Sequence, residues 1–454
     1  MKSNSLQEFG RNLSAALSDM VRGESSSPSI AYGSVDSPSE LIVAFSGGLD
    51  STVLLHALLS LNLPVTISAI HVNHGLSPNA DDWEQHCREF CQHRQTDIKV
   101  KRYKVVDQGD GIEAAARAAR YSAFEECVPP NACVLTAHHR DDQVETLLYR
   151  LMRGAGVSGL AGIPLLRKVG KSWVIRPLLM LSRDELETYA NQQKLRRIED
   201  ESNSELRYDR NFIRHRVLPL FKERWPQAEN KIAQTAALMA ESDSLLARYA
   251  EQNLDGCALK KERIGESICL KTFGLLYLDQ QKHTLRHWIS HKAWPAPSQR
   301  QLEQILHILD AKADARPVVK LAAYEFRRYH DRLYLLPTLS DIDRLAVYQW
   351  PLSQDLSLDD GSVLSCEVKG VHKDTVLSVR YRQGGERCQP QDRQHSQSLK
   401  KLLQEYHLEP WLRDRAPLLY VDDELVAVAD LFYCQQTSLN AANYAFQWSF
   451  KEQL

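Results

Sequence analysis

The fold is decided by the stretch Leu41–Ser51, LIVAFSGGLDS, which continues into Thr52–His56, TVLLH. Apolar residues of strand length lead into two adjacent glycines, Gly47 and Gly48, and an apolar segment of helical length follows. Glycine lets the backbone approach an anion closely and adopt dihedral angles that side chains resist. The free N–H groups at the start of a helix attract negative charge. The pattern therefore predicts a strand, a phosphate-binding turn and a helix in succession.

The candidate nucleotide-binding loop consists of Ser46, Gly47, Gly48, Leu49, Asp50 and Ser51. The two serine hydroxyls could donate to phosphate, and Asp50 could hold a magnesium ion against it. The loop is not a Walker loop, because no G-K-[ST] sequence follows the glycines. A plain turn with Ser51 as an ordinary helix N-cap is the alternative. The complete hexapeptide between a strand and a helix favours the phosphate site.

Strand-length and helix-length segments alternate through the N-terminal half of the chain. Strands are predicted at Leu41–Phe45, Val65–Val72, Ile98–Val105, Ala132–Ala137 and Val174–Ile175. Helices are predicted at Ser51–Leu61, Asp81–Arg94, Glu113–Cys127 and Asp141–Arg153. This alternation predicts an α/β fold, a doubly wound parallel sheet with helices on both faces.

At 454 residues the chain is long enough for two to four domains. Residues 1–38 are rich in Ser, Pro and Gly and are expected to form a disordered extension. We expect a catalytic α/β domain at 39–225, a mainly helical middle domain at 226–340 and a small α+β C-terminal domain at 341–454. Apolar residues recur at helical spacing within Lys231–Asn253 and are expected to face a core.

Charge and cysteine content restrict the function only weakly. The 56 Lys+Arg and 58 Asp+Glu residues give a net charge of −2, so no basic excess indicates a nucleic-acid partner. Arginine is nevertheless concentrated in 196–224, 327–332 and 380–415. The nine cysteines show no redox or zinc spacing. No stretch resembles a membrane span or a secretory signal, so we expect a cytoplasmic protein with no membrane partner.

A second group of functional residues, HHRDDQVET at His138–Thr146, follows the predicted strand Ala132–Ala137. Its candidate site residues are His138, Asp141, Asp142 and Glu145. Open α/β sheets bind ligands at the carboxyl ends of their strands, where these carboxylates could coordinate magnesium or hold an attacking amine. Arg153 precedes a glycine-dense loop at 154–164, which suggests a mobile cover. The alternatives are a charged helix start with a linker, or a His/Asp phosphoesterase centre, for which the chain supplies no second matching cluster.

A third group, YDRNFIRHR, lies at Tyr208–Arg216. Together with Arg207, its residues Arg210 and Arg214 recur at helical spacing and could form one basic face. Such a face suits negative charge that develops on a phosphate, or an RNA backbone. The alternative is a solvated helix face.

These motifs resemble a known family. SGGLDS is similar to the pyrophosphate-loop (PP-loop) signature of the N-type ATP pyrophosphatases, Rossmann-like enzymes of the adenine nucleotide alpha hydrolase type that cleave ATP to AMP and pyrophosphate. The chain resembles the tRNA(Ile)-lysidine synthase family, most specifically over about residues 40–225. The motifs that carry the resemblance are SGGLDS, HVNHGL, GIEAAARAARY, HHRDDQVET, RGAGVSGLAGIP, IRPLL, EDESN, RNFIRHRVLP, RYRQGGE and LKKLLQEYHLEPWLRDRAPLL.

The resemblance implies a reaction that uses ATP and Mg²⁺. L-lysine is joined to C2 of the wobble cytidine of a CAU-anticodon tRNA(Ile) through an adenylated tRNA, pyrophosphate and AMP are released, and codon reading changes from AUG to AUA. The implied catalytic residues are Asp50, Asp141, Asp142, Arg210 and Arg214. The implied contacts to substrate or tRNA come from His138, Glu145, Arg153, Lys400, Lys401, Arg413 and Arg415. The two domains after residue 225 would bind tRNA. The choice within each Asp and Arg pair stays open, as does monomer against homodimer.

Two other functions remain. A tRNA thiolase would also adenylate a base, but its cysteine-dependent forms need paired cysteines that this spacing does not offer. A non-catalytic nucleotide- or RNA-binding module would have little need for Asp50 and the Asp141–Asp142 pair. The chain departs from the family pattern at Glu201, where a proline is expected, and at Ala429, where glycine is common.

Overall fold

The computed structural model divides into two units, Met1–Leu245 and Leu246–Leu454. The residues it describes are 38–61, 63–105, 111–201, 205–310, 317–368, 375–435 and 443–450. The extension expected at 1–38 lies outside the described residues except for Pro38, and so do the last two residues of the EDESN motif. Among the described residues, no helix combines the length and apolarity that a membrane crossing needs.

The first unit is built on a six-stranded sheet in the order β3-β2-β1-β4-β6-β5. The strands are β1 (Glu40–Ala44), β2 (Thr66–Asn73), β3 (Ile98–Arg102), β4 (Ala132–Leu135), β5 (Leu166–Val169) and β6 (Ser172–Ile175). Neighbouring strands pair in parallel, except that β5 pairs antiparallel with β6. The predicted parallel sheet is confirmed, and β5 adds an edge strand that the sequence pattern did not indicate.

Helices pack on both faces of this sheet. They are α1 (Leu49–Ser60), α2 (Ala80–Gln92), α3 (Ile112–Cys127), α4 (Arg140–Met152), α5 (Val157–Leu160) and α6 (Arg183–Gln192). Leu41 and Val43 of β1 share a core with Leu54 of α1, whereas Ile42 packs with Phe124 of α3 in a second core. Because side chains alternate across a strand, one apolar run fills both layers, as is usual in parallel sheets.

The strand order places a topological switch point at β1, which has β2 on one side and β4 on the other. Open α/β sheets bind ligands at the carboxyl ends of the strands that flank such a point. The SGGLDS loop follows β1 and His138 follows β4, so both lie at this edge. The third motif continues as α7 (Asp209–Phe212), a π-helical turn (Ile213–Val217) and α8 (Leu218–Arg224).

Helix α9 (Ala228–Gly256) contains the boundary between the two units. The expectation that its apolar stripe faces a core holds only in part. Ile232 packs against a buried cluster, whereas Leu238, Leu245 and Tyr249 are 51%, 47% and 57% exposed. The buried face of the helix runs through Ile232 and includes smaller side chains. Its buried residues are Ala236, Ala250 and Leu254.

The second unit continues with helices and an antiparallel sheet. Its first helices are α10 (Leu270–Phe273), α11 (Leu278–His291) and α12 (Gln299–His307). They accompany a sheet in the order β7-β8-β11-β10-β9, with strands β7 (Lys260–Lys261), β8 (Glu266–Cys269), β9 (Val318–Lys320), β10 (Tyr324–Tyr329) and β11 (Arg332–Pro337). Trp288 of α11 and Phe326 of β10 share one core, so the helices cover a face of the sheet.

The rest of the second unit is rich in strands and carries one short helix, α13 (Leu399–Glu405). A five-stranded sheet has the order β12-β15-β18-β19-β20, a three-stranded sheet the order β13-β14-β21, and β16 pairs with β17. The strands are β12 (Val347–Pro351), β13 (Leu356–Ser357), β14 (Ser362–Val368), β15 (Val376–Arg380), β16 (Arg387–Cys388), β17 (Gln397–Ser398), β18 (Leu418–Val421), β19 (Glu424–Val428), β20 (Phe432–Tyr433) and β21 (Tyr444–Phe450). Ala429 has a φ of +43°, a left-handed conformation that explains why glycine suits its position.

Candidate active site

The phosphate loop is a tight turn closed by its own serines. Helix α1 begins at Leu49 with Gly48 as its N-cap, so Ser51 lies inside the first turn and is not the cap residue. The Ser51 hydroxyl accepts a hydrogen bond from the Ser46 N–H at 3.2 Å and donates to the Gly48 carbonyl at 3.2 Å. The early N–H groups of the helix, including that of Asp50, have no carbonyl of their own helix to bond. The loop therefore presents the anion-binding end of a helix, two residues earlier than predicted.

Gly47 is the position in this loop where glycine is required. Its φ is +80°, and an added Cβ would lie 2.4 Å from Cδ1 of Ile198. The Ile198 N–H donates to the Gly47 carbonyl at 2.9 Å, and Gly48 and Ile198 form a parallel β-bridge. The segment just before the EDESN motif therefore braces the phosphate loop. The sequence pattern did not identify Ile198, because an isolated apolar residue gives no signal for a contact so far along the chain.

The imidazole of His139 lies between the first two motifs. Its Nε2 atom is 3.7 Å from an oxygen of Asp50 and 3.6 Å from an oxygen of Asp142, while Nδ1 is 3.9 Å from Asp141. The His139 side chain is 1% exposed. The two carboxylate groups predicted from separate motifs thus meet around one buried ring. His139 was not among the predicted site residues, although it stands beside His138 in the same motif.

Arg214 reaches across from the third motif and binds Glu145, which is fully buried. Nε and Nη2 of Arg214 donate to the two carboxylate oxygens of Glu145 at 2.6 and 3.0 Å. Arg210 lies further away, 3.9 Å from Glu145 and 3.8 Å from Asp142, and its side chain is 40% exposed. Two members of the predicted basic face point into the site, with Arg214 engaged by the protein and Arg210 closer to solvent. The third, Arg207, is 70% exposed and pairs with Glu205.

Burial and charge give the acids at this site different properties. Burial raises the pKa of Asp50, although His139 opposes the shift. Burial also raises the pKa of Glu145 against the hydrogen bonds from Arg214. For Asp142, burial acts in the same direction, but His139 and Arg210 hold the pKa below its ordinary value. Asp142 is therefore the carboxylate that stays ionised most readily.

Burial lowers the pKa of His138 to about 3, with Arg176 and Arg210 acting in the same direction. The imidazole is therefore neutral near physiological pH. Its Nδ1 shares a hydrogen bond with the Thr136 hydroxyl at 3.0 Å. His138 thus offers this site a neutral hydrogen-bonding group rather than a charge.

A cleft of about 310 Å³ opens beside these groups in the first unit. Five carboxylates line it, from Asp141, Glu145, Asp184, Glu187 and Glu229. The cations that line it are Arg183, Arg214 and Lys222. Asp141 lines the cleft whereas Asp142 does not. The cleft is therefore suited to a small ligand that carries ammonium groups and a carboxylate.

The glycine-dense loop after α4 is held in place by α4 itself. Nη1 of Arg150 donates to the carbonyls of Gly159 and Gly162 at 2.9 and 2.7 Å. The side chain of Gln143 bonds both the N–H and the carbonyl of Ile163. The expected mobile cover is thus anchored at its second half in this structure. Arg153 is exposed and its guanidinium lies 5.3 Å from the ring of Tyr149.

The four C-terminal residues expected to contact tRNA separate into two pairs. Lys400 and Lys401 are exposed on α13. Arg413 is only 8% exposed; its Nε donates to the Leu408 carbonyl at 2.9 Å and its Nη2 to the Tyr329 hydroxyl at 3.0 Å. The Arg415 side chain is 11% exposed, bonds the Ser340 carbonyl and faces Asp360 at 3.6 Å. Both arginines are used inside the second unit, so the expected four-residue basic face does not form.

The residues at the phosphate loop fit a magnesium ion that is shared with phosphate. Oδ1 of Asp50 is buried and has no hydrogen-bond partner among the described residues. Carboxylate oxygen is the ligand that Mg²⁺ prefers, and Mg²⁺ is usually held by one or two carboxylates together with substrate phosphates. The described part of the chain contains no cluster of three or more metal-binding side chains. A metal at Asp50 would therefore need the nucleotide to complete its coordination.

Models of known protein families match successive segments of this chain. A family model described as a PP-loop domain matches residues 24–221, one described as a TilS substrate binding domain matches 269–334, and one described as a TilS substrate C-terminal domain matches 377–448. A tRNA(Ile)-lysidine synthase of Coxiella burnetii is 40% identical over 430 residues, which cover 92% of this chain and 94% of the relative. The chain belongs to the tRNA(Ile)-lysidine synthase family. The tRNA(Ile)-lysidine synthase of Serratia proteamaculans is likewise 40% identical, over 90% of this chain and 96% of its own.

As a member of the tRNA(Ile)-lysidine synthase family, the chain is an ATP-using, tRNA-modifying enzyme of the ligase type. Two solved structures resemble it over about half its length. The U34-tRNA thiolase NcsA from Methanococcus maripaludis matches with a TM-score of 0.43 and 16% identity, over 53% of this chain and 80% of its own. An NH3-dependent NAD synthetase from Campylobacter jejuni matches with a TM-score of 0.31 and 10% identity, over 54% of this chain and 95% of its own.

Proposed function

We propose that this enzyme joins L-lysine to C2 of the wobble cytidine of a CAU-anticodon tRNA(Ile), with release of pyrophosphate and AMP. The observation that carries the proposal is that the phosphate loop and the cleft of mixed charge lie next to each other in the first unit. Asp50 of the phosphate loop lies within 4 Å of the His139 imidazole, which also contacts Asp142. Asp141, which precedes Asp142 in the chain, lines the cleft. A nucleotide and a small amino acid can therefore approach one point.

In the first step the C2 oxygen of cytidine attacks the α-phosphorus of ATP, and the bond to pyrophosphate breaks. The oxygen is a poor leaving group until it carries AMP, which is why the step is needed. The N–H groups of the loop and of the α1 N-terminus would hold the departing pyrophosphate. Bound Mg²⁺ would neutralise part of the phosphate charge, with Asp50 among its ligands.

In the second step the ε-ammonium of lysine gives a proton to a carboxylate of the cleft, the resulting amine attacks C2, and AMP leaves with the former C2 oxygen. The carboxylates that line the cleft would hold the ammonium groups of lysine, and Arg183 or Lys222 its carboxylate. Asp141 lines the cleft, so we assign the contact with the attacking amine to Asp141 and the fixed negative charge beside it to Asp142.

The two arginines would divide the remaining work. Arg214 binds Glu145 through Nε and Nη2, so its role is to hold that acid and the π-helical turn in place. Arg210 donates to the Thr146 hydroxyl at 3.3 Å, makes longer contacts with the two acids and is 40% exposed. It can therefore turn toward the phosphate of the adenylated tRNA. Lys400 and Lys401 remain the C-terminal candidates for tRNA phosphate contacts.

The decisive experiment measures pyrophosphate release and incorporation of labelled lysine with ATP and a transcribed CAU-anticodon tRNA(Ile). Omission of tRNA, omission of lysine, and replacement by a methionine tRNA serve as controls. We expect lysine in the tRNA and one pyrophosphate for each lysine incorporated. Pyrophosphate release without lysine incorporation would exclude the proposed ligation. A thiolase would need a sulfur donor, and the residues that line the cleft include no cysteine.

A further inference from the structure

His139 is the N-cap residue of α4, and its side chain lies between the acidic motif and the phosphate loop. Its backbone N–H donates to Oδ2 of Asp142 at 3.0 Å. The backbone N–H of His139 therefore has its partner within α4. The imidazole instead extends toward the phosphate loop, where Nε2 lies 3.7 Å from Asp50 and 3.6 Å from Asp142.

The surroundings of the ring leave polar atoms for an incoming group. The His139 side chain is 1% exposed, yet Nδ1 has no hydrogen-bond partner among the described residues. Oδ1 of Asp50 is likewise buried and has no hydrogen-bond partner among the described residues. Buried polar atoms in proteins are nearly always satisfied, so two such atoms in one place indicate a site that a ligand or water completes. A histidine needed only for packing would have no reason to face three carboxylates.

The ring also separates like charges. Asp50 follows β1 and Asp142 lies in the first turn of α4, and each has an oxygen within 4 Å of the same nitrogen. Two carboxylates that approach the same nitrogen atom repel each other. A polar N–H between them offsets this repulsion and fixes their spacing. The two acids belong to the two successive steps of the proposed reaction, one on the ATP side and one on the lysine side.

We propose that His139 is a positioning residue that holds Asp50 and Asp142 at a fixed spacing, so that tRNA adenylation and lysine transfer take place around one stationary cytidine carbon. The inference rests on the proposed function. It assigns the role to the Nε2 edge of the ring, because that edge faces both acids whereas Nδ1 faces Asp141 at 3.9 Å.

The two edges of the ring can be tested separately. In His139→Gln the side-chain amide nitrogen lies near the former Nε2 position, whereas in His139→Asn it lies near Nδ1. His56→Gln is the matched control: His56 is a half-buried histidine of α1 that bonds the Tyr189 hydroxyl at 3.0 Å, away from the cleft. For each variant, pyrophosphate release without lysine and full lysine transfer are measured as separate kcat and KM values, together with thermal unfolding.

We expect His139→Asn to lower kcat of both steps by about 100-fold, since misplacement by about 1 Å costs this much, with the KM for ATP changed much less. His139→Gln should recover to within about tenfold of the unaltered enzyme, and His56→Gln should match it. Normal kcat in His139→Asn overturns the proposal, as does equal loss in the Gln and Asn variants. If the unaltered enzyme forms no lysidine, the proposed function itself fails, and the variants are not needed to show it.

Discussion

The buried ion pair between Arg214 and Glu145 gives the sharpest prediction about stability. Glu145 is 0% exposed and Arg214 is its bidentate partner, with N···O distances of 2.6 and 3.0 Å. Arg214→Met keeps most of the side-chain volume and removes the charge and all donors. The variant therefore isolates the cost of leaving the Glu145 carboxylate buried without a cation.

Breaking a buried pair by removal of one partner costs about 3–5 kcal/mol in free energy of unfolding. The first unit is of a size for which 1 kcal/mol corresponds to about 2–4 °C in Tm, so its unfolding transition should fall by roughly 6–20 °C. Replacing both residues, as Arg214→Met with Glu145→Met, should recover much of this loss because no uncompensated charge remains. Both variants should be inactive, since the π-helical turn loses its anchor.

The loss should also depend on pH with a defined sign. Burial already raises the pKa of Glu145, and Arg214 opposes that shift. Without Arg214 the pKa in the folded state rises further, so the folded protein takes up a proton that the unfolded protein does not. The stability deficit is then largest above the raised pKa and shrinks as the pH falls toward it. Unfolding of Arg214→Met should differ less from that of the unaltered enzyme at about pH 5 than at about pH 8.

Thermal and denaturant unfolding of the single and double variants, at both pH values, provides the assay. The charge-burial reasoning is refuted if Arg214→Met is as stable as the unaltered enzyme. It is equally refuted if the double variant is no more stable than the single one, because the loss would then come from packing. Arg216→Met, at an exposed position of the same turn, is the control and should change stability by less than about 0.5 kcal/mol.

Three further predictions follow from the site and the C-terminal surface. Asp50→Ala should abolish lysidine formation, measured as lysine incorporation. Its melting temperature should be unchanged or slightly higher, because a buried acid is removed. Normal turnover would contradict the role of the loop. Gly47→Ala should destabilise by about 1–2 kcal/mol, since φ is +80° there, and more than Gly48→Ala, whose Cβ meets Ser46 Oγ at 3.5 Å; equal melting curves would contradict this. Lys400→Ala with Lys401→Ala should weaken tRNA binding and reduce the slope of log K against log salt concentration by about one per lost phosphate contact. Arg413→Ala should mainly destabilise the fold. Unchanged tRNA affinity in the lysine variant would make the α13 surface an ordinary solvated one.

Local patterns were sufficient for the parallel strands of the sheet and for the position of the loop, although they did not indicate the antiparallel edge strand β5. β1 was predicted at Leu41–Phe45 and is found at Glu40–Ala44. The motifs next to the predicted strands also indicated the family, because their order along the chain is specific to it. The start of α1 was predicted at Ser51 and is found at Leu49, since extended Gly48 serves as the cap and shortens the turn. Such boundaries depend on the backbone angles of single residues, which the apolar pattern does not encode.

The parts of the site that could not be predicted depend on contacts between distant segments. Ile198 braces Gly47 from about 150 positions along the chain, and Arg214 reaches Glu145 across 69. Arg413 bonds Tyr329 across 84 positions, so a residue that belongs to a basic cluster in the sequence lies inside the fold. A count of charges shows which residues could bind an anion. It does not show which of them already have partners.

The same distinction applies to the acids, and it decides which of them can do which chemistry. Four carboxylates of the first two motifs look equivalent in the sequence, yet Asp142 has a lowered pKa whereas Asp50 and Glu145 have raised ones. An acid that stays ionised holds an ammonium well but is a weak proton acceptor, because proton transfer is favoured when the two pKa values are close. Asp142 is therefore better suited to fixed charge than to removing the proton of the lysine amine. Asp141, which lines the cleft, is the neighbour in position to contact that amine. The proposed reaction therefore gives different tasks to two adjacent residues of the same type.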